Sequence, residues 1–359
     1  MMTRLKINWA APFAVLLILI AFPLSMIAQD KLFTLEELNY GGINYRTTQP
    51  QSLWLTWWGD KLVKTDVEEC YLVDIKTGKT NKLFTLEDIN KWAESNDSDK
   101  YVRHLMDATF PYPDKPIVAV GNRKAFILVD FVAKKVVWED SISGQMANDW
   151  NPESKATAYV EDHQLFIVDA QGQKHQLSTD GSREIVYGQS VHRNEFGIEK
   201  GTFWSPDGQR LAFYRMDQSM VRDYPQVDIF PREATHEPDK YPMAGMTSHK
   251  VTVGIYDLKT HKTVYLQAGD PTDRYFTNIA WSPDGKTIYL FELNRGQNDC
   301  RLVSYDAVTG EKQAELYRET SDKYVEPQHP ILFLPWDETK FIMQSQKDGY
   351  NHLYIYIMY

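Results

Sequence analysis

The 359-residue chain has a formal net charge of −10 at pH 7, is 13% aromatic and is 25% charged. Its short apolar runs are spread along the whole length, which excludes an intrinsically disordered chain and indicates a globular body. Acidic residues are interspersed and no basic stripe opposes them, so the composition argues against a nucleic-acid partner.

The first 28 residues have the layout of an export signal. Arg4 and Lys6 precede an apolar run over 9–27, and Ala28 follows it. This pattern predicts a signal peptide over 1–28, cleaved after Ala28, and a mature protein that is periplasmic or secreted. The alternative is a retained membrane anchor, because the run approaches the length that spans a bilayer.

Helical periodicity is confined to two short segments, Leu35 to Leu38 and Leu83 to Trp92. Elsewhere, short runs rich in β-branched and aromatic residues alternate with turn residues at close spacing. The sequence therefore predicts an all-β body with very little helix.

One five-residue motif recurs in the second half of the chain. Trp-Ser-Pro-Asp-Gly occurs at 204–208 and 281–285, and a degenerate copy, Trp-Asn-Pro-Glu-Ser, occurs at 150–154. Proline fixes φ, the aspartate accepts local hydrogen bonds and the glycine tolerates positive φ. Each copy therefore predicts a tight hairpin between two strands.

A second motif is a strand that ends in aspartate and then turns into another strand. Its copies end at Asp74, Asp130, Asp169, Asp257 and Asp306. Two hairpins per repeat make a four-stranded sheet, and repeated sheets of this kind are typical of β-propeller blades. The count predicts roughly five blades, which we assign to a propeller domain over 51–359.

The last residues begin one more hairpin over 341–356. An unfinished sheet would expose a strand edge, which is an aggregation liability. We therefore expect an incomplete propeller that is truncated from a longer protein.

Cys70 and Cys300 are the only cysteines. In an exported protein they could form a disulfide if their Cα atoms lie within bridging distance. The alternative is that both are small, buried apolar side chains.

The sequence contains neither a G-x-S-x-G nucleophile motif nor an H-E-x-x-H motif. We therefore predict no catalytic residue within the chain, no metal site and no cofactor. His163, His175 and His192 are interpreted as loop histidines.

The stretch 191–208 resembles the glutamate-bearing helix and following strand of the dipeptidyl peptidase IV family, serine exopeptidases of the prolyl oligopeptidase clan. In that family a Glu-Glu pair stands a fixed distance before a Trp-Ser-Pro turn. Segments 33–38, 241–245 and 348–354 are also similar and occur in family order. The resemblance implies that 29–50 leads into a propeller expected to have eight blades, and that the C-terminal α/β-hydrolase domain is absent.

The resemblance also implies that propeller carboxylates hold the free α-amine of a peptide substrate. Glu195 matches the second glutamate of the pair by its distance to Trp204. Asn194 stands at the first position, where an amide holds an ammonium less strongly than a carboxylate does. Glu199 and Arg123 are further candidate substrate contacts.

The implied partners are peptides with a free N-terminus, from which dipeptides ending in Pro or Ala would be released. The Ser, Asp and His of the reaction would come from the α/β-hydrolase domain, so this chain alone should not hydrolyse peptides. The insert 216–242 stands where the family carries a dimer-forming arm and implies a homodimer; the alternative is a mobile surface loop.

Two other functions remain open at this stage. One carboxylate in place of two is compatible with a prolyl tripeptidyl peptidase of the same family. The other is a non-catalytic exported propeller that binds a protein or an envelope component, since a fold alone does not determine function.

Overall fold

A computed structural model describes residues 32–39, 53–94, 101–121, 125–141 and 146–358. The predicted signal peptide, most of the 29–50 segment and Arg123 lie outside these residues. Within the described ranges, no helix is both long enough and apolar enough to cross a membrane.

Apart from two short two-stranded ladders, the described residues form six antiparallel sheets in succession along the chain, which we call blades 1 to 6. Blade 1 contains β1 (Trp54–Trp58), β2 (Lys61–Thr65), β3 (Glu69–Val73) and β4 (Thr80–Thr85). Blade 2 contains β5 (Ile117–Gly121), β6 (Ala125–Asp130) and β7 (Lys135–Ser141). Blade 3 contains β8 (Met146–Trp150), β9 (Thr157–Glu161), β10 (Gln164–Val168) and β11 (Lys174–Gln176).

Blade 4 begins with β12 (Ile185–Tyr187), β13 (Thr202–Trp204) and β14 (Arg210–Asp217). An arm then leaves the blade as two short ladders made by β15 (Asp223–Tyr224), β16 (Val227–Asp228), β17 (Thr235–His236) and β18 (Asp239–Lys240). The blade is completed by β19 (Lys250–Asp257) and β20 (Lys262–Tyr265).

Blade 5 contains β21 (Arg274–Trp281), β22 (Thr287–Asn294), β23 (Asp299–Asp306) and β24 (Lys312–Thr320). Blade 6 contains β25 (Leu332–Leu334), β26 (Asp337–Ser345) and β27 (His352–Ile357). The all-β propeller class is confirmed, but the count of roughly five blades was one too low. Each aspartate turn precedes the last strand of one of blades 1 to 5, and the described part of blade 6 has no such turn.

The two predicted helices are present and are the only α-helices in the described ranges. They are α1 (Leu35–Leu38) and α2 (Leu86–Trp92). Thr85 caps α2, because its hydroxyl accepts the backbone N–H of Asp88 while the Asp88 carboxylate accepts the backbone N–H of Thr85. The helix begins three residues later than predicted because β4 continues to Thr85 and buries Phe84.

The three tryptophan motifs form hairpins, as predicted. In the copy at 204–208, the Ser205 hydroxyl donates to Asp207 at 2.5 Å and accepts the backbone N–H of Arg210 at 2.9 Å. Gly208 has φ +65°, which glycine adopts without steric cost. In the degenerate copy, the side chain of Asn151 accepts the turn N–H groups, and the positive φ falls on Lys155.

The tryptophans of these motifs also join neighbouring blades. The Trp204 indole of blade 4 donates to the Asp149 carbonyl of blade 3 at 2.9 Å. The Trp281 indole of blade 5 donates to the Phe203 carbonyl of blade 4 at 3.0 Å. Each bond satisfies a polar group at a blade junction and is worth about 0.5–1.5 kcal/mol net.

Apolar side chains fill the space between each pair of consecutive blades, so the core consists of five separate layers. Cys70 lies in the layer between blades 1 and 2, and Cys300 in the layer between blades 5 and 6. Both thiols are free and buried, so the prediction of small apolar residues is confirmed and no disulfide joins them.

Candidate functional site

The segment 188–201, between β12 and β13, carries Asn194, Glu195 and Glu199. We call residues 191–198 of this segment the site turn. His192, Arg193 and Asn194 form a 3₁₀ turn in which φ is +54°, +59° and +62°. The helix that the resemblance implied here is therefore wrong, because the backbone is left-handed and Glu195 ends the turn with extended φ and ψ.

The left-handed conformation of the site turn is costly for residues that carry a Cβ atom. Each such residue costs about 1–2 kcal/mol, so three in succession cost roughly 3–6 kcal/mol. Strain of this size persists only where tertiary contacts over-determine the backbone, and it is common at functional sites. The contacts that hold the site turn therefore determine how its side chains are presented.

A buried histidine pair lies beneath the N-terminal half of the turn. His192 Nδ1 is 2.7 Å from His249 Nε2, and the backbone N–H of Phe276 donates to His192 Nε2 at 3.3 Å. Since Nε2 of His192 is an acceptor, its Nδ1 carries the proton and donates to His249. The two side chains are 3% and 6% exposed, so His192 lies in a loop as predicted, but it is a buried and hydrogen-bonded loop histidine.

Both histidines of this pair are neutral at pH 7. Burial, and then the neighbouring His249, holds the pKa of His192 well below its ordinary value. Burial, together with the Arg193 and Arg295 guanidinium groups, lowers the pKa of His249 to about 4. A charged imidazole at either position would lose solvation, and at position 249 it would also meet these two cations.

The C-terminal half of the site turn is held by Phe196 and Gly197. The Phe196 ring is buried, and its carbonyl accepts the Asn278 side-chain N–H at 2.8 Å. Gly197 has φ +68°, and a Cβ atom there would lie 2.1 Å from the Gln328 carbonyl oxygen. Only glycine fits this approach without moving the backbone.

Glu195 lines a hollow of about 100 Å³ that we call the amine hollow. Tyr241, Pro242 and Tyr275 form part of its wall, and His249 lies at its inner side. Glu195 is exposed, and its carboxylate makes no hydrogen bond or ion pair with any residue that the structure describes. Burial raises the pKa of Tyr275, and the charge of Glu195 acts in the same direction.

Asn194 faces a different hollow, of about 250 Å³, with Ser190, Gln218 and Lys240 in its wall. Its side-chain oxygen accepts the Ser190 hydroxyl. The structure therefore does not bring Asn194 and Glu195 together as a joint pair of ligands. Glu199 is exposed and lines neither hollow, and Arg123 lies outside the described residues.

Arg193 connects the site turn to the root of the arm. Its guanidinium donates to the Asp239 carboxylate at 2.7 Å and lies 5.3 Å from the centre of the Tyr241 ring. Asp239 therefore balances the positive charge beside Glu195. This leaves the Glu195 carboxylate as the unpaired charge of the amine hollow, and a carboxylate flanked by two phenol rings suits a cation.

A larger hollow, of about 310 Å³, lies between Tyr101, Arg103 and Gly121. Its nearest acid and base, His104 and Asp107, lie 3.8 Å apart and are both well exposed. No residue of the site turn lines it. Because it lacks an unpaired carboxylate of the kind that Glu195 provides, it is the weaker candidate.

Comparison with known proteins places this geometry in a family. The family model of the dipeptidyl peptidase IV N-terminal region matches residues 121–358, which is well over half of the chain. The chain belongs to this family. The dipeptidyl peptidase IV resemblance stated from the sequence is therefore confirmed.

Solved structures of similar proteins support the assignment. A Bacteroides ovatus protein, described as a candidate dipeptidyl aminopeptidase IV, is 49% identical, has a TM-score of 0.74, and matches 91% of this chain but 45% of its own. Porphyromonas gingivalis dipeptidyl peptidase 4 is 21% identical with a TM-score of 0.66, covering 92% of this chain and 49% of its own. At that identity it supports the fold alone.

A curated relative is also similar over part of its length. The probable dipeptidyl-aminopeptidase B of Talaromyces marneffei is 27% identical over 287 residues, which are 68% of this chain and 32% of that protein. The chain thus spans about a third of the length of this relative.

Sequence reasoning located the site turn of this dipeptidyl peptidase IV N-terminal region but missed most of the amine hollow. Tyr241 and Pro242 were noted only as a similar segment, and Tyr275 and His249 were not singled out. His192 and His249 are 57 positions apart and meet only in the folded blade. The sequence feature that could have indicated the amine hollow is the pair Tyr241-Pro242, which follows the arm.

Proposed function

We propose that this chain is the substrate-selecting propeller region of an exported serine exopeptidase that releases dipeptides from peptide N-termini, after Pro or Ala. In this proposal Glu195 binds the α-ammonium group of the substrate. The observation that carries it is a carboxylate without a protein partner, placed in a small hollow with aromatic walls.

The chemistry favours an N-terminal amine over other peptide groups. A peptide α-amine has a pKa of about 7.7–8.0, so it is largely protonated at pH 7. A hydrogen bond between charged groups is worth about 1.5–3 kcal/mol, whereas internal peptide bonds offer no cation. The Tyr241 and Tyr275 rings add a surface that attracts a cation and exclude part of the water around it.

The length of the released peptide is part of the proposal. Asn194 is engaged by Ser190 and faces another hollow, so Glu195 is the one carboxylate of the site turn in the amine hollow. A single anchor holds the amine at one point and leaves more freedom for the rest of the peptide. This arrangement supports a prolyl tripeptidyl peptidase as the second candidate.

The remaining parts of the reaction, the export of the protein and its assembly also belong to the proposal. We propose that an α/β-hydrolase domain supplies the Ser, Asp and His, and that the leader over 1–28 exports the protein to the periplasm or beyond. N-terminal sequencing of the mature protein tests the cleavage after Ala28.

We also propose that the arm mediates homodimer formation, since Ile229 and Phe230 at its tip are 76% and 95% exposed.

The amine role is tested by peptide binding to the 359-residue chain. Ile-Pro-Ile with a free amine, and the same peptide acetylated on its amine, are titrated at pH 7 by ligand-observed NMR. Glu195→Gln should weaken binding of the free peptide about tenfold or more, because it removes a bond of about 1.5–3 kcal/mol. Acetylation should weaken binding to the unsubstituted chain to the same extent.

Glu199→Gln is the matched control, because Glu199 is an exposed glutamate four residues along that lines neither hollow. It should bind both peptides as the unsubstituted chain does. Equal affinity of the unsubstituted chain for the free and acetylated peptides would overturn the proposal. Dipeptide and tripeptide release are distinguished by product length when the chain is assayed together with a hydrolase domain.

A further inference from the structure

The three consecutive left-handed residues 192–194 differ in what their side chains bind; Phe196 and Gly197, further along the site turn, are also left-handed. Arg193 reaches the arm through Asp239, and Asn194 accepts a hydrogen bond from Ser190 only four positions away. His192 is the one whose side chain is buried. It is therefore the member of the three that ties the turn to the interior of the blades.

His192 is tied to two separate elements. Through Nδ1 it donates to His249, which stands immediately before β19, and through Nε2 it accepts the backbone N–H of Phe276 in β21. The Tyr275 ring also lies edge-on against the His192 ring, with 4.9 Å between the ring centres. These contacts join the turn to blade 4 and to blade 5 at once.

We propose that His192 and His249 are positioning residues for Glu195, and that their hydrogen bond holds the left-handed site turn that directs the Glu195 carboxylate into the amine hollow. The link to ligand binding rests on the proposed function of Glu195. Both histidines also line the amine hollow, and in this proposal they act on the ligand through the backbone of residues 192–195.

The geometry explains why the pair acts on Glu195 in particular. The backbone N–H of Glu195 donates to the His192 carbonyl at 3.1 Å, so Glu195 is placed relative to His192 by one turn of chain. Because Phe196 and Gly197 fix the chain just after Glu195, the carboxylate lies between two anchors. Loss of the first anchor leaves the left-handed residues free to relax to ordinary φ values.

Two substitutions at one position separate positioning from general stability. His249→Leu removes the acceptor and leaves the buried Nδ1–H of His192 without a partner. His249→Gln restores an acceptor close to the position of Nε2. His352→Gln is the control, because His352 is exposed in β27.

The first readout is amide hydrogen exchange of the full 359-residue chain. In His249→Leu the peptide that covers 190–199 should exchange at least about tenfold faster than in the unsubstituted chain. The reason is that the site turn can then open without first breaking a hydrogen bond between His192 and residue 249. Exchange of β22 should be unchanged, which also shows that the variant is folded. In His249→Gln, exchange of 190–199 should stay within about twofold of the unsubstituted chain.

The second readout is binding of free-amine Ile-Pro-Ile. His249→Leu should lose about tenfold in affinity, and His249→Gln should recover most of it. Unchanged exchange of 190–199 in His249→Leu would overturn the inference. So would a faster-exchanging turn that binds the free-amine peptide normally while Glu195→Gln does not. If Glu195→Gln binds normally, the proposed function fails, and hydrogen exchange alone decides whether the pair holds the turn.

Discussion

Replacing His249 by glutamine should make the stability of the chain less sensitive to acid. The pKa of His249 is lowered from its ordinary 6.5 to about 4, chiefly by burial and then by Arg193 and Arg295. Between these two pH values the unfolded chain binds more protons at this site than the folded chain does. The stabilisation is therefore complete above about pH 6.5 and is lost as pH falls towards 4.

The magnitude follows from the shift in pKa. Each unit is worth about 1.4 kcal/mol, so the lowered pKa of His249 removes about 2 kcal/mol of stability between pH 7 and pH 5. His249→Gln keeps a hydrogen-bond acceptor but has no proton to gain in this range. The unsubstituted chain should therefore lose about 2 kcal/mol more than the variant over the same interval.

Urea unfolding at pH 7, 6 and 5 measures the difference. Tryptophan fluorescence and circular dichroism should give coincident transitions, which permits a free energy of unfolding to be extrapolated at each pH. Carboxylates are present in both proteins and cancel in the comparison, which therefore reports His249 together with its effect on the pKa of His192. His352→Gln should follow the unsubstituted chain. Parallel pH curves for the unsubstituted chain and His249→Gln would refute the reasoning.

Three further outcomes are expected. Gly197→Ala should lower the free energy of unfolding, measured in urea, by more than about 2 kcal/mol, because its Cβ atom would meet the Gln328 carbonyl at 2.1 Å. Trp281→Phe should cost about 1 kcal/mol or more in the same assay, because the Phe203 carbonyl loses its indole donor. Phe230→Asp should convert the homodimer that we propose to form through the arm into a monomer in sedimentation velocity, because this ring is exposed at the arm tip.

Each of these three changes has a matched control. Gly172→Ala keeps the positive φ but meets nothing within 4 Å, so it should cost less than Gly197→Ala. Trp336→Phe removes an indole that is 80% exposed and should be near neutral. Phe33→Asp changes another exposed ring, one that does not belong to the arm, and should not alter the sedimentation coefficient. Equal effects within any pair would contradict the corresponding structural reason.

The fold was readable from sequence wherever a local turn fixes the backbone. The Trp-Ser-Pro-Asp-Gly copies close hairpins through bonds among Ser205, Asp207 and Arg210, all within six residues. The aspartate turns are equally local: Asp306 accepts the N–H groups of Val308 and Thr309, and that bonding lowers its pKa. Such chemistry is determined by short segments and therefore shows in the sequence.

The blade count and the site were harder to predict because their determinants are not local. Blade 6 has no aspartate turn among its described residues, so counting that motif gave one blade too few. The left-handed backbone of the site turn depends on the hydrogen bonds of His192 with His249 and Phe276, and on the bond between Phe196 and Asn278. None of these partners is within 50 positions of the turn.

An ion pair joins the root of the arm to Arg193 in the wall of the amine hollow, and this contact has an electrostatic consequence. The ion pair between Arg193 and Asp239 has both partners more than 40% exposed, so it adds little to stability. Its effect is instead on the charge near Glu195. Without Asp239, the Arg193 guanidinium, which also lines the amine hollow, would be free to compete with the substrate ammonium that we propose to bind Glu195. Because Asp239 belongs to β18, it is the root of the arm that neutralises this cation and leaves the Glu195 carboxylate available for a ligand.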